Sequence, residues 1–220
     1  MYSFFEKSDD QIQVDVTKEL RFDPSLTSTQ IAVTCKDGVV TLSGNVPHFF
    51  EKTSAEEAAQ RVGGVRAVAD EIEVKLMGAY EKSDEDIANA ALNAIQWNFS
   101  VPRDVKVSVD NGWVTLRGEA EWNFQRTAAK KAIGHLMGVV GVKNEMVIRP
   151  KADATDVQKR IEAAFKRSAE DEGKNISVNV QVNKVILTGK VNSFSDLADA
   201  GVAAWNTPGV GEVSNRLTIN

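Results

Sequence analysis

The sequence predicts an α+β fold in which three small domains of the order α-β-β-α-β follow one another. Three observations predict it. A short pattern occurs three times, as DGVVTLSGNV, NGWVTLRGEA and NKVILTGKV, and its glycine (Gly44, Gly118, Gly189) recurs about every 70 residues. Apolar residues alternate before these glycines, as in strands, and follow a helical period after them. The predicted domains are residues 8–76, 83–149 and 153–220.

Each repeat is predicted to begin with an amphipathic helix. In the first repeat, Ser8 and Gln11 have the spacing of a capping box, and Ile12, Val16 and Leu20 are four residues apart, on one helical face. The same apolar spacing recurs at Ile87, Ala91 and Ile95 in the second repeat, and at Val157, Ile161 and Phe165 in the third.

A β-hairpin is predicted next. The stretches IAVTC, VKVSV and ISVNV alternate apolar with polar or small residues, which is typical of half-buried strands. Asp37-Gly38 and Asn111-Gly112 predict type I′ turns, because these turns need positive φ at both central residues. Asn183 stands at the glycine position of the third turn, and asparagine also tolerates positive φ.

The second half of each repeat predicts a helix and a final strand. Ala55, Ala58 and Ala59 fall on one helical face, and Gly64 follows as a helix-ending glycine. A helix between two strands suits a right-handed parallel crossover. Each domain is therefore predicted to be a three-stranded mixed sheet with two helices on one face. Trp113 is predicted to lie on the opposite face, where contacts between repeats are expected.

The repeat resembles the BON domain family. The resemblance rests on DGVVTLSG-V…A…A…GV..V.(D)..I.V and on its two counterparts, with Asp70 where the family usually has asparagine. It implies a non-enzymatic, bacterial binding protein of the osmotic or envelope stress type, which associates with phospholipid surfaces or with envelope proteins. The alternative is a cytoplasmic protein that binds potassium or another small solute, because some intracellular relatives are linked to potassium.

Composition excludes several classes of function. The net charge is −5, and the acidic excess lies in the first 80 residues, so nucleic acid is not an expected partner. The two histidines have neither metal-ligand nor triad spacing, so neither catalysis nor a metal or cofactor site is expected. The segment MYSFFEKSDD has no signal-peptide pattern, which favours a cytoplasmic location, or a periplasmic one if a signal was removed. The oligomeric state stays open.

Two sets of side chains are candidates for a role. The first set is predicted to form an edge that meets a lipid surface or a partner, because aromatic rings with a nearby cation suit such an interface. Its members are Trp97, Trp122, Phe124 and Arg126. The second set is predicted to be structural, with inward-facing polar groups bonded to backbone in the loop before the second helix. Its members are Asp70, Asn144 and Asn215, together with Gly44, Gly118 and Gly189.

Overall fold

A computed structural model describes residues 7–26, 30–149, 175–181, 184–207 and 210–219. Within these residues it confirms the predicted α+β architecture of small mixed sheets with helices on one face. The predicted first helix of the third repeat, with Val157, Ile161 and Phe165, lies outside the described residues, and so does the predicted turn at Asn183.

The first repeat has the predicted element order. Its elements are α1 (Asp9–Phe22), β1 (Ile31–Lys36), β2 (Val39–Val46), α2 (Phe49–Arg61) and β3 (Ala67–Val74). The central strand β2 pairs antiparallel with β1 and parallel with β3, so the connection through α2 is the predicted parallel crossover. A short 3₁₀ turn, Gly78–Tyr80, follows the last strand.

The second and third repeats contain the same strand order. The second has α3 (Asp84–Trp97), β4 (Lys106–Asp110), β5 (Trp113–Arg117), β6 (Glu119–Ala120), α4 (Asn123–Gly134), β7 (Gly141–Asn144) and β8 (Val147–Ile148). The described part of the third has β9 (Asn175–Gln181), β10 (Lys184–Val191), α5 (Phe194–Trp205) and β11 (Glu212–Ile219). In the second repeat the central strand is interrupted at Gly118, so β6 and β8 form a separate two-stranded ladder.

The two hairpin turns of the first and second repeats are as predicted. The φ angles are 53° at Asp37 and 74° at Gly38, and 49° at Asn111 and 75° at Gly112. Positive φ at both central residues defines the type I′ turn, whose twist matches that of the strands it joins.

Each repeat buries one face of its sheet beneath the helices that the structure describes. In the first repeat, β2 contributes Val40 and Leu42, and the alanines of α2 lie directly on them, because small side chains allow close approach. The third repeat builds the equivalent core around Val185 and Leu187. Side chains on the opposite sheet face are exposed or half-buried, and that face includes Trp113, as predicted.

A carboxylate at the start of the first helix holds the hairpin turn in the first two repeats. Asp9 accepts hydrogen bonds from the backbone N–H groups of Asp37, at 2.8 Å, and Gly38, at 2.9 Å. Asp84 accepts the equivalent bonds from Asn111, at 2.8 Å, and Gly112, at 2.9 Å. We call these contacts the turn clamps. They join the start of the first helix to the hairpin turn, a contact that the sequence pattern did not predict.

Cys35 lies beside the first turn clamp. Its thiol packs half-buried against the core and donates to the Asp9 carboxylate at 3.3 Å. Burial, together with the neighbouring carboxylate, raises the pKa of Cys35 to about 11. The thiolate, which is the reactive form, is therefore disfavoured at neutral pH.

The first turn clamp should weaken in acid. The backbone N–H groups of Gly38 and then Asp37 lower the pKa of Asp9 below its ordinary value of 3.8. Because the pKa of Asp9 is lowered in the folded state, the ionised carboxylate stabilises the fold above pH 3.8, and this contribution is lost as the pH falls from 3.8 towards the lowered pKa. We expect Asp9→Asn to lower the urea midpoint of the first repeat at neutral pH. The difference in urea midpoint between the variant and the parent should become smaller below pH 3.8. A gap that stayed constant throughout an acid titration would contradict this role.

Candidate functional site

Exposed aromatic residues follow the end of α3. Trp97, the last residue of the helix, is 87% exposed, and Phe99 is fully exposed. Trp97 also lines a surface cleft of about 440 Å³. Among the described residues, those that line this cleft are Leu92, Ile95, Gln96, Trp97, Arg103 and Val105. We call this surface, together with Phe99, the α3 cleft.

The other three predicted interface residues lie near the start of α4 and do not line the α3 cleft. Trp122 precedes the helix and is half-buried, and its backbone N–H donates to the side chain of Gln125 at 3.0 Å. Phe124, in the first turn, is 54% exposed. Arg126 is half-buried, and its guanidinium lies 5.6 Å from the ring centroid of Trp205, a cation–π arrangement.

Of the four predicted interface residues, Trp97 alone lines the α3 cleft. Trp97 and Phe124 are exposed, whereas Trp122 and Arg126 are half-buried. Leu92 and Arg103, which the fold brings beside Trp97, were not predicted from the sequence. A signal for Arg103 was its position six residues after Trp97, in the loop that leads back to the sheet.

The polar residues on the last strands bond to backbone. The Asn144 amide donates to the carbonyl of Arg126 at 2.7 Å and accepts from the N–H of Met146 at 3.2 Å. Asn215 donates to Leu197 at 3.0 Å. The carbonyl groups that accept from the two amides lie in the first turn of the second helix of each repeat, whereas the prediction placed the partners in the loop before it. The prediction of inward burial was wrong for Asn215, which is exposed, and Asn144 is only half-buried.

The first repeat replaces this amide contact with an ion pair. Asp70 has no amide N–H to donate, and its carboxylate lies 3.1 Å from the ammonium of Lys52. Lys52 also donates to the carbonyl of Ile72 at 2.6 Å, while Ile72 donates its own N–H to Asp70 at 3.0 Å. Lys52 occupies the position that Arg126 has in the second repeat, eight residues after the anchor glycine. The helix is thus tied to the last strand in both repeats by different chemistry.

The three anchor glycines have backbone conformations that other residues rarely adopt. Their φ angles are 133° at Gly44, 147° at Gly118 and 130° at Gly189. At Gly44, a Cβ atom would also collide with the backbone carbonyl oxygen of Gln30, at the start of the neighbouring strand. Glycine at this position allows the close strand approach that the hairpin requires.

Two features of the described residues bear on the class of site. The described residues contain no group of three or more histidine, cysteine, aspartate or glutamate side chains that could hold a metal ion. Among the helices in the described ranges, none is long and apolar enough to cross a membrane.

Comparison with known proteins agrees with the repeat architecture. The BON domain profile matches residues 8–75, 83–150 and 153–220. Osmotically-inducible protein Y of Escherichia coli (strain K12) is 27% identical over 143 residues, which cover 63% of this chain and 71% of that protein.

Solved structures give only a remote similarity. CdsD, a structural protein of the type III secretion system of Chlamydia trachomatis, aligns over 94% of this chain and 91% of its own, at 14% identity and a TM-score of 0.27. Its C-terminal domain aligns over 97% of this chain and all of that domain, with the same identity and TM-score. A TM-score this low does not support any conclusion about the fold or function of this chain. The three profile matches cover nearly the whole sequence, and the chain therefore belongs to the BON domain family.

Proposed function

We propose that this chain is a non-enzymatic binding protein of the osmotic or envelope stress response, and that it attaches to phospholipid surfaces through the α3 cleft. The similarity to a protein named as osmotically inducible supports the physiological part of this proposal. The observation that carries the lipid part is the nearly complete exposure of Trp97 and Phe99 beside an apolar cleft.

The chemistry of the α3 cleft matches the boundary between lipid headgroups and acyl chains. Leu92 is 52% exposed and offers apolar surface above the buried Ile95 and Val105, and Trp97 has the amphipathic ring that favours this boundary. Arg103 at the same cleft supplies a cation for a phosphate group. The acidic first turn of α3 lies at the opposite end of the helix, so its negative charge is kept away from the cleft.

Replacing Trp97 by alanine should reduce binding to vesicles of equimolar phosphatidylcholine and phosphatidylglycerol about tenfold. The estimate rests on about 1.5 kcal/mol for withdrawing the indole from the interface. Flotation through a density gradient measures the bound fraction. A two-residue aromatic contact gives weak and reversible attachment, so the parent should bind modestly.

The matched control is Phe22→Ala. Phe22 is 86% exposed and ends α1, as Trp97 ends α3, but it lies in the acidic first repeat. This variant should float as well as the parent. Equal losses for both variants would indicate nonspecific hydrophobic adsorption, and a parent that never floats would remove the lipid proposal.

A further inference from the structure

Trp113 lies on the open sheet face of the second repeat and does not line the α3 cleft. It is 55% exposed. Its six-membered ring lies against the backbone of Gly141 on the neighbouring strand, so close that a Cβ atom at Gly141 would collide with it. Because one side of the indole lies against Gly141, the exposed surface of the ring is on its opposite side.

The other repeats show that this arrangement is particular to the second one. The pair equivalent to Trp113 and Gly141 is Val39 and Ala67 in the first repeat. In the third repeat it is Lys184 and Glu212, which form an ion pair. The fold does not need an indole here, since two other pairs fill the same place. Of the three repeats, only the second pairs a large flat ring with a glycine at this position. Because glycine has no side chain, the ring can lie against the backbone of the neighbouring strand.

The neighbours of Trp113 on this face are polar and close to neutral as a group. Thr115 lies two residues along the same strand, and Ser108 and Lys143 lie on the flanking strands at the Thr115 level. Glu145 accepts from two cations of the face, Arg117 at 2.7 Å and Lys143 at 2.6 Å. On β4, Asp110 lies opposite Trp113 and Lys106 lies opposite Arg117. The face therefore offers hydroxyl groups and nearly balanced charges around an exposed ring.

We propose that the open sheet face around Trp113 binds an uncharged polysaccharide, with one sugar ring stacked on the free side of the indole. A pyranose ring has an apolar C–H face that suits an aromatic surface, and its hydroxyl groups can exchange hydrogen bonds with Thr115 and Ser108. The balanced charge disfavours a nucleic acid, which requires a basic surface to match its phosphates. The flat polar surroundings also distinguish this face from the apolar α3 cleft.

The test is isothermal titration of the full chain with two uncharged oligosaccharides, cellohexaose and chitohexaose. The variant Trp113→Val/Gly141→Ala installs the pair of the first repeat, and Trp113→Lys/Gly141→Glu installs the pair of the third. Each should weaken binding roughly tenfold or more, because each removes the stacking surface. Trp97→Ala should bind the sugars like the parent, which separates this proposal from lipid attachment. If one paired variant misfolds, the other decides.

Three outcomes would overturn the proposal. The first is a parent that binds neither oligosaccharide at millimolar concentration, and the second is paired variants that bind like the parent. The third is Trp113-dependent binding of a single-stranded oligothymidylate in preference to both sugars, which would assign the face to nucleic acid. A shift of the Trp113 indole N–H resonance on adding the sugar, with the other tryptophans unchanged, would place the contact directly.

Discussion

Replacing Gly44 by alanine is expected to destabilise the first repeat by about 3–4 kcal/mol. A residue with a side chain would be strained at a φ of 133°, which by itself costs about 1–3 kcal/mol. The new Cβ atom would also collide with the carbonyl oxygen of Gln30, a backbone atom that cannot move without displacing β1. Hydrogen exchange of the β1 and β2 amides across a urea series measures the free energy of unfolding of this repeat.

The control for Gly44→Ala is Gly63→Ala. Gly63 follows α2 in the same repeat, and a Cβ atom there would meet nothing within 4 Å. Its substitution should change the free energy of unfolding by less than about 1 kcal/mol. A Gly44→Ala variant as stable as Gly63→Ala would show that glycine is not needed at the anchor position.

Replacing Asn144 by leucine should destabilise the second repeat by about 1–3 kcal/mol. The change removes the donor to the carbonyl of Arg126 and the acceptor for the N–H of Met146, and leaves both backbone groups without these partners. Urea-dependent hydrogen exchange of β7 and α4 measures the loss. A variant that unfolds like the parent would refute the structural role predicted for this residue.

The first repeat supplies a sharper form of the same experiment. Asn144→Asp places a carboxylate against the Arg126 carbonyl, so it should also destabilise the second repeat. Adding Arg126→Lys recreates the pair that Lys52 and Asp70 form in the first repeat, and should recover part of the lost stability. Asp70→Asn should be tolerated, because an asparagine amide can donate to the carbonyl of Lys52. If the double variant is no more stable than Asn144→Asp, the amide contact and the ion pair are not interchangeable.

The repeated architecture could be predicted because its signals are local. Turn chemistry placed Asp37-Gly38 and Asn111-Gly112, and the change from a two-residue to a helical period placed the helix after Gly44. Such signals depend on neighbours a few residues apart. They therefore gave element types and strand directions correctly wherever the structure describes them.

The remaining contacts could not be predicted in the same way because they join distant positions. The bonds from Asp9 to the turn cross 28 and 29 residues. A hint existed, since Ser8-Asp9 and Ser83-Asp84 stand at similar distances before their turns. The contact between Arg126 and Trp205 joins two repeats, and no spacing within one repeat indicates it. The alternation of inward and outward residues along the last strand predicted that Asn215 is buried, but alternation does not determine how much of a side chain its neighbours cover.

The surroundings of the candidate interface residues were harder to predict. Trp97, Trp122, Phe124 and Arg126 were grouped because aromatic rings with a nearby cation suit an interface. The cleft beside Trp97 depends on how the following loop brings Arg103 back to the helix. Whether an aromatic residue is exposed depends on tertiary packing, which residue type alone does not determine.

The strand pairings described above have a kinetic consequence. Every described ladder closes within its own repeat, and the first repeat completes its sheet between Ile31 and Val74. Short loop closures have a small entropic barrier, and low contact order favours rapid folding. We therefore expect the first repeat to form its strand pairings as soon as it has left the ribosome, while the second is still being synthesised. Nascent chains would then expose few unpaired strand edges at any one time, which limits aggregation during translation.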